Sequence, residues 1–227
     1  MTYSKKTILK ATILMALPGG WNAGAQTAPA LIDIANAPLP IQILVRSPAE
    51  THTDLQVICL FRSSPMNALH GSLTEIDERL KGLLDRIRKP ELFGGELGET
   101  LLIASPKGSL DAKELLLIGL GDSRNFSPQR MQLVGKILYD EAARIGVAHP
   151  FFAPAILDGG VTGFTTGQVA EEVIHGFLQA SATDNVLRES NAAAGQRVTA
   201  LTYLAGAKNA SGTREGIEKA VAAAARK

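Results

Sequence analysis

Two stretches, Val57-Ile58-Cys59-Leu60-Phe61 and Leu115-Leu116-Leu117-Ile118-Gly119-Leu120, carry no charged or polar side chain at any position. Successive side chains of a strand point to opposite faces of its sheet, so an unbroken apolar run suits only a strand covered on both sides. A chain with such strands must also supply helices for two layers. Further apolar runs read the same way: Ile41 to Val45, Leu101 to Ala104, Phe151 to Leu157 and Val198 to Leu204. Pro106-Lys107-Gly108 separates two of the runs by a turn short enough for an antiparallel hairpin.

The helices fall between these strands. Leu73, Ile76, Leu80, Leu83, Leu84 and Ile87 recur at helical spacing and predict one helix over Leu73 to Lys89, with Ser72 and Glu75 as a capping box and Pro90 as its stop. Ser127-Pro128 opens a second helix, with Met131, Val134, Leu138, Ala142 and Ile145 inward and Gly146 at its C-cap. A third begins near Thr165 and Gln168, which can cap it, and turns Val169, Val173, Phe177 and Leu178 inward. Residues 182–195 are polar and carry no clear pattern, and an Ala-rich helix is expected over Arg214 to Lys227. Strands alternating with helices make the fold α/β, a central mixed β-sheet flanked by helices in three layers.

The first 25 residues read as a signal peptide. Lys5, Lys6 and Lys10 precede a short apolar run from Ala11 to Leu17, and Ala23-Gly24-Ala25 is a small-x-small cleavage pattern. That run is too short to span a bilayer, which takes about 20 residues. A periplasmic or secreted location with cleavage after Ala25 is expected, followed by a flexible lead-in at 26–38 and a domain at 39–227. Cleavage removes three lysines and no acid, leaving 20 basic against 22 acidic residues and a formal charge of −2. A nearly neutral chain without a basic run gives strong nucleic-acid binding no electrostatic support. The single cysteine, Cys59, lies inside an apolar run and reads as a small buried hydrophobe.

Groups that could carry chemistry are few. His52, His70, His149 and His175 are scattered and form no H-E-x-x-H pair, and His175 reads as a solvated partner of Glu171. No G-x-S-x-G elbow occurs, and Ser63-Ser64-Pro65 reads as a turn. Glu96 and Glu99 bracket a glycine turn, where Glu99 is expected to pair locally. The best ligand candidate is the stretch Asp158, Gly159, Gly160, Val161, Thr162, Gly163, Phe164 and Thr165, between a strand and a helix. Glycines admit close approach to backbone N–H groups, and the helix adds its positive end, so an anion could bind there. The alternative is a loop that caps a helix, with Phe164 as its buried anchor. Its spacing is neither G-x-G-x-x-G nor a P-loop.

Phe93-Gly94-Gly95-Glu96-Leu97-Gly98-Glu99-Thr100-Leu101, then Leu115 to Gly121 closing in Gly-Leu-Gly, then Gln168 to Gly176 follow one another in an order that resembles the N-terminal domain of the leucyl (cytosol) aminopeptidases. In the last motif His175 stands where the family has an acid. The resemblance covers roughly 39–227. It implies a macro-domain-like fold and a domain that in full-length enzymes is not catalytic and serves assembly or regulation of a hexamer. The family's catalytic signature, Asn-Thr-Asp-Ala-Glu-Gly-Arg-Leu, and its Gly-Gly-Asp-Lys stretch do not occur in the sequence. No catalytic residue, metal ligand or cofactor is therefore carried over. The final helix is expected where the family's linker leads into its metal-binding half, which makes the chain either a stand-alone domain or half of a split enzyme. Expected partners are a second copy of the chain or a catalytic aminopeptidase subunit. The alternative is a macro-like module that binds a nucleotide diphosphate or ADP-ribose at 158–167, since that loop resembles the diphosphate loop of macro domains. A working aminopeptidase with unrecognised ligands is the third reading.

Overall fold

A computed structural model describes residues 30–63 and 68–226; the signal-peptide reading and most of the 63–65 turn lie outside them. Seven strands form one sheet: β1 (Leu31–Asp33), β2 (Ile41–Val45), β3 (Thr53–Leu60), β4 (Thr100–Ala104), β5 (Ala112–Gly119), β6 (Phe151–Ala153) and β7 (Leu201–Ala205). Their spatial order is β1-β2-β7-β6-β3-β5-β4. The five inner strands are parallel, and the edge strands β1 and β4 run antiparallel to β2 and β5.

The apolar runs are buried on both faces as their composition demands. Val57 and Cys59 of β3, with Leu116 and Ile118 of β5, enter one core beneath α3 (Met131–Ile145), α4 (Thr166–Glu189) and α5 (Ala210–Ala224). Ile58 and Leu60, with Leu115 and Leu117, enter the opposite core beneath α1 (Gly71–Arg79) and α2 (Leu83–Ile87). The fold is thus the expected three-layer α/β arrangement.

Several elements differ from the sequence expectation, each for a visible reason. The single helix over 73–89 is two. Lys81 and Gly82 take positive φ (57° and 73°), and the Asp77 carboxylate accepts from the Leu84 N–H at 2.7 Å, seating the first turn of α2. The capping box of Ser72 and Glu75 does not form. Ser72 instead donates to Asp158, while Glu75 accepts from Ser47 Oγ and pairs with Arg79. Strand β6 stops at Ala153 because Pro154 has no N–H to continue the ladder. Helix α4 runs on through 182–189, where buried Asp184 accepts from Tyr139 Oη at 2.8 Å and pairs with Arg188 at 2.7 Å. The segment expected as a flexible lead-in contributes β1 and the buried Ile34. Strand β4 alternates between exposed and half-buried residues, as an edge strand does.

Candidate functional site

Because β6 ends at Ala153, its neighbours outrun it. Cys59 and Leu60 of β3, like Leu204 and Ala205 of β7, have no partner in β6. This gap lies at the carboxyl ends of the parallel strands, where open α/β sheets place their ligands. A cavity of about 560 Å³ opens over it. Its walls are the end of β2 and the residues after it (Val45 to Pro48), the first turn of α1 (Ser72, Glu75), the loop after β6 (Pro154 to Asp158), the start of α4 (Phe164 to Thr166, Val169) and the residues after β7 (Gly206, Ala207).

Asp158 organises the α1 side. Its carboxylate Oδ2 accepts from the Ser72 N–H at 3.1 Å and from Ser72 Oγ, and its carbonyl accepts from the His70 N–H at 3.0 Å. Donors at the first turn of a helix have no intrahelical partner, so a carboxylate there satisfies them and meets the positive end of the helix. The approach needs Gly71, which has φ +51° and whose missing Cβ would collide with Asp158 Oδ1.

The rest of the glycine-rich stretch is a compact turn. The N–H of Gly159 donates to the carbonyls of Ala155 and Ile156 (3.0 and 3.2 Å), that of Gly160 to Leu157 (3.0 Å), and that of Val161 to Ile156 (3.2 Å). Gly159 is buried against the Phe61 ring, where a Cβ would come within 2.7 Å of Cδ2. Thr162 and Gly163 are exposed and lie away from the cavity wall. Phe164 packs edge-on to Phe126 (5.2 Å), which packs edge-on to Phe61 (5.4 Å), so it anchors the loop while also lining the cavity. Thr165 and Gln168 form a reciprocal capping box: Thr165 N donates to Gln168 Oε1 (3.0 Å) and Gln168 N to Thr165 Oγ1 (3.1 Å). The backbone donors at 159, 160, 161, 165 and 168 are therefore all engaged within the chain. Of the eight candidate residues, the cavity brings together Asp158, Phe164 and Thr165.

Two cavity residues, Arg46 and Ser47, carry no motif that sequence inspection could detect, and Glu75, expected in a capping box, joins them there instead. They meet because β2 ends and α1 begins at the same corner. Ser47 Oγ donates to Glu75 Oε2 at 2.8 Å, Glu75 also pairs with Arg79 at 3.1 Å, and Arg46 faces Glu50 at 3.7 Å.

The other candidates are structural. Glu99 accepts from the N–H groups of Gly94 (3.3 Å) and Glu96 (2.9 Å) and so holds the turn that precedes β4, while Glu96 pairs with Arg62. Cys59 is fully buried and burial pushes its thiol well above the usual range, which removes the thiolate a nucleophile needs. His175 faces Glu172 at 3.9 Å rather than Glu171. Among the described residues no three His, Cys, Asp or Glu side chains are grouped as a metal site, and no helix is long and apolar enough to cross a membrane.

Comparison with known proteins agrees with this geometry. A point mutant of the macrodomain of Oceanobacillus iheyensis superposes with a TM-score of 0.59 at 15% identity, over 86% of this chain and 99% of that one. The macrodomain of Trypanosoma brucei in complex with ADP gives 0.53 at 16% identity, over 80% and 68%. A mutant of tomato leucine aminopeptidase gives 0.55 at 21% identity, over 78% of this chain and 35% of that one, so the chain spans about a third of the plant enzyme. These likenesses show a macro-like fold. No curated protein matches the chain. The family described as "Cytosol aminopeptidase family, N-terminal domain" matches residues 57–191, more than half of the sequence, and the chain therefore belongs to the cytosol aminopeptidase family through that domain.

Proposed function

We propose that the chain is a non-catalytic binding module of its family that takes a small molecule into the cavity over the gap in β6. The carrying observation is the cavity itself, whose volume lies in the range of ligand pockets and whose walls are mostly apolar with a few placed polar groups. The match to the N-terminal domain of the family supports the non-catalytic part. A neutral six-carbon probe tests the site. Titrating 1-hexanol into isotope-labelled protein should shift the NMR signals of Val45, Ile156 and Val169, and Ala207→Trp at the exposed rim should abolish the shifts. No shift in the native chain would overturn the reading. Leucine anilide with added manganese or zinc should not be hydrolysed.

Macrodomains are described with ADP and ADP-ribose, which brings a nucleoside diphosphate forward as ligand for this chain. The internal bonds of the N–H groups at 159, 160 and 161 and the carboxylate at α1 speak against it, so calorimetry with ADP-ribose should give little heat.

The family match favours a second reading, association with another copy or with a catalytic aminopeptidase subunit. Light scattering of the chain, alone and mixed with a full-length enzyme of the family, tests it, and a strict monomer in both samples counts against it. Export belongs to the same proposal and is supported by the leader pattern at 1–25. Protein recovered from a secreting bacterial host should begin at Gln26, and an intact Met1 would refute export.

A further inference from the structure

Resting on the cavity-binding reading, the charges around the cavity name the chemistry of its ligand. Two of the three charged residues in the wall have counter-charges of their own. Arg46 faces Glu50 at 3.7 Å, and Glu75 pairs with Arg79 at 3.1 Å. Asp158 is different. Its carboxylate accepts from the Ser72 N–H and hydroxyl, and among the described residues no cationic side chain pairs with it. The N-terminus of helix α1 offers roughly half a positive charge against the full negative charge of the Asp158 carboxylate. A carboxylate has about four acceptor positions, and Ser72 occupies two. The walls nearby are apolar: Val45, Ile156, Phe164 and Val169.

We infer that the cavity takes an organic monocation, an apolar body carrying a protonated amine, with the ammonium on Asp158 and the body against the apolar wall. A phosphate or carboxylate would meet the same position as a like charge, beside a loop whose N–H groups at 159, 160 and 161 are already engaged.

Three probes that share one carbon body separate charge from apolar burial: n-hexylammonium, 1-hexanol and hexanoate, each titrated into the full chain and followed by NMR. Hexylammonium should bind roughly fivefold more tightly than hexanol, about what one partly solvated ion pair contributes, and hexanoate should bind most weakly. In Asp158→Asn, which keeps an oxygen for Ser72, the ammonium should fall to the affinity of the alcohol while hexanol is unchanged. Ser72→Ala, which leaves the charge in place, should retain the preference for the ammonium and covers the case in which Asp158→Asn does not fold. Equal or better binding of hexanoate would overturn the inference, as would an ammonium preference that survives Asp158→Asn. Hexanol binding without any charge preference removes this inference alone. Failure of all probes removes the cavity-binding reading with it.

Discussion

On one face of the sheet, α3, α4 and α5 come close enough for their backbones to touch. On the other, α1 and α2 are short and are tied down by carboxylates. In the first layer a Cβ at Gly135 would fall under 3.0 Å from the carbonyl of Val173, one at Gly176 from that of Gln132, and one at Gly216 from that of Gly167. In the second, Asp158 holds the start of α1 and Asp77 the start of α2. Close-packed backbones have no way to yield, whereas a side-chain cap can be lost while the helix it caps stays attached. The cavity lies where the two kinds of layer meet, and one of its walls is the side that can yield.

The largest test of this difference is a matched pair of glycine substitutions. Gly176→Val should cost about 3 kcal/mol, because overpacking against backbone cannot be relieved by rotating a side chain. Gly82→Ala, with φ +73° but only Arg86 nearby, should cost about 1 kcal/mol for the left-handed conformation. Urea denaturation measures both, and equal losses would break the contrast. Next comes Asp184→Ala, which strands the buried Tyr139 hydroxyl and frees Arg188. A loss of about 2 kcal/mol is expected from a charged hydrogen bond of this kind, and Tyr139→Phe in the same background should add little.

Asp158→Ala should destabilise by about 1 kcal/mol, as removal of a helix cap does. Amide exchange sharpens the comparison here. The first turn of α1 should exchange faster, while that of α4, which carries its own Thr165–Gln168 box, should not change. Faster exchange in both would mean that the loop moves as one piece with α4.

The smallest effect concerns acid. Asp122 is held down to about 2, mainly by its hydrogen bonds from the Arg124 side chain and backbone, so its folded-state value lies below its ordinary 3.8. A depressed carboxyl contributes stability that is fully present above the ordinary value and is lost as pH falls through the folded one. Stability should therefore decline between about pH 4 and pH 2, and Asp122→Asn should shallow that decline. An unchanged acid limb would show that this exposed pair contributes nothing measurable.

Much of the fold was legible in the sequence because it is written in local pattern. The runs through Val57 to Phe61 and Leu115 to Leu120 announced two-sided burial, and the Thr165–Gln168 cap and Gly146 marked helix ends where the structure has them. What stayed hidden depends on distant partners. Ser72 and Glu75 fit a capping box as neighbours, yet each is claimed from elsewhere, Ser72 by Asp158 and Glu75 by Ser47. The polar stretch after Ala182 continues the helix with its Asp184 satisfied by Tyr139 from across the layer. The cavity follows the same rule. Asp158 and Phe164 stood out by their loop, whereas Arg46 and Ser47 reach the site through the sheet order alone.

The early stop of β6 has one more consequence. A proline after three paired residues leaves a vacancy in the hydrogen-bond ladder, so the hollow above it is a property of the chain path rather than of any side chain that lines it. Substitutions at Val45, Phe164 or Ala207 can reshape the lining without disturbing the ladder. A scaffold of this kind can exchange one ligand chemistry for another in single steps while its frame stays put. Pro154, itself one of the wall residues, is the position at which that path leaves the sheet.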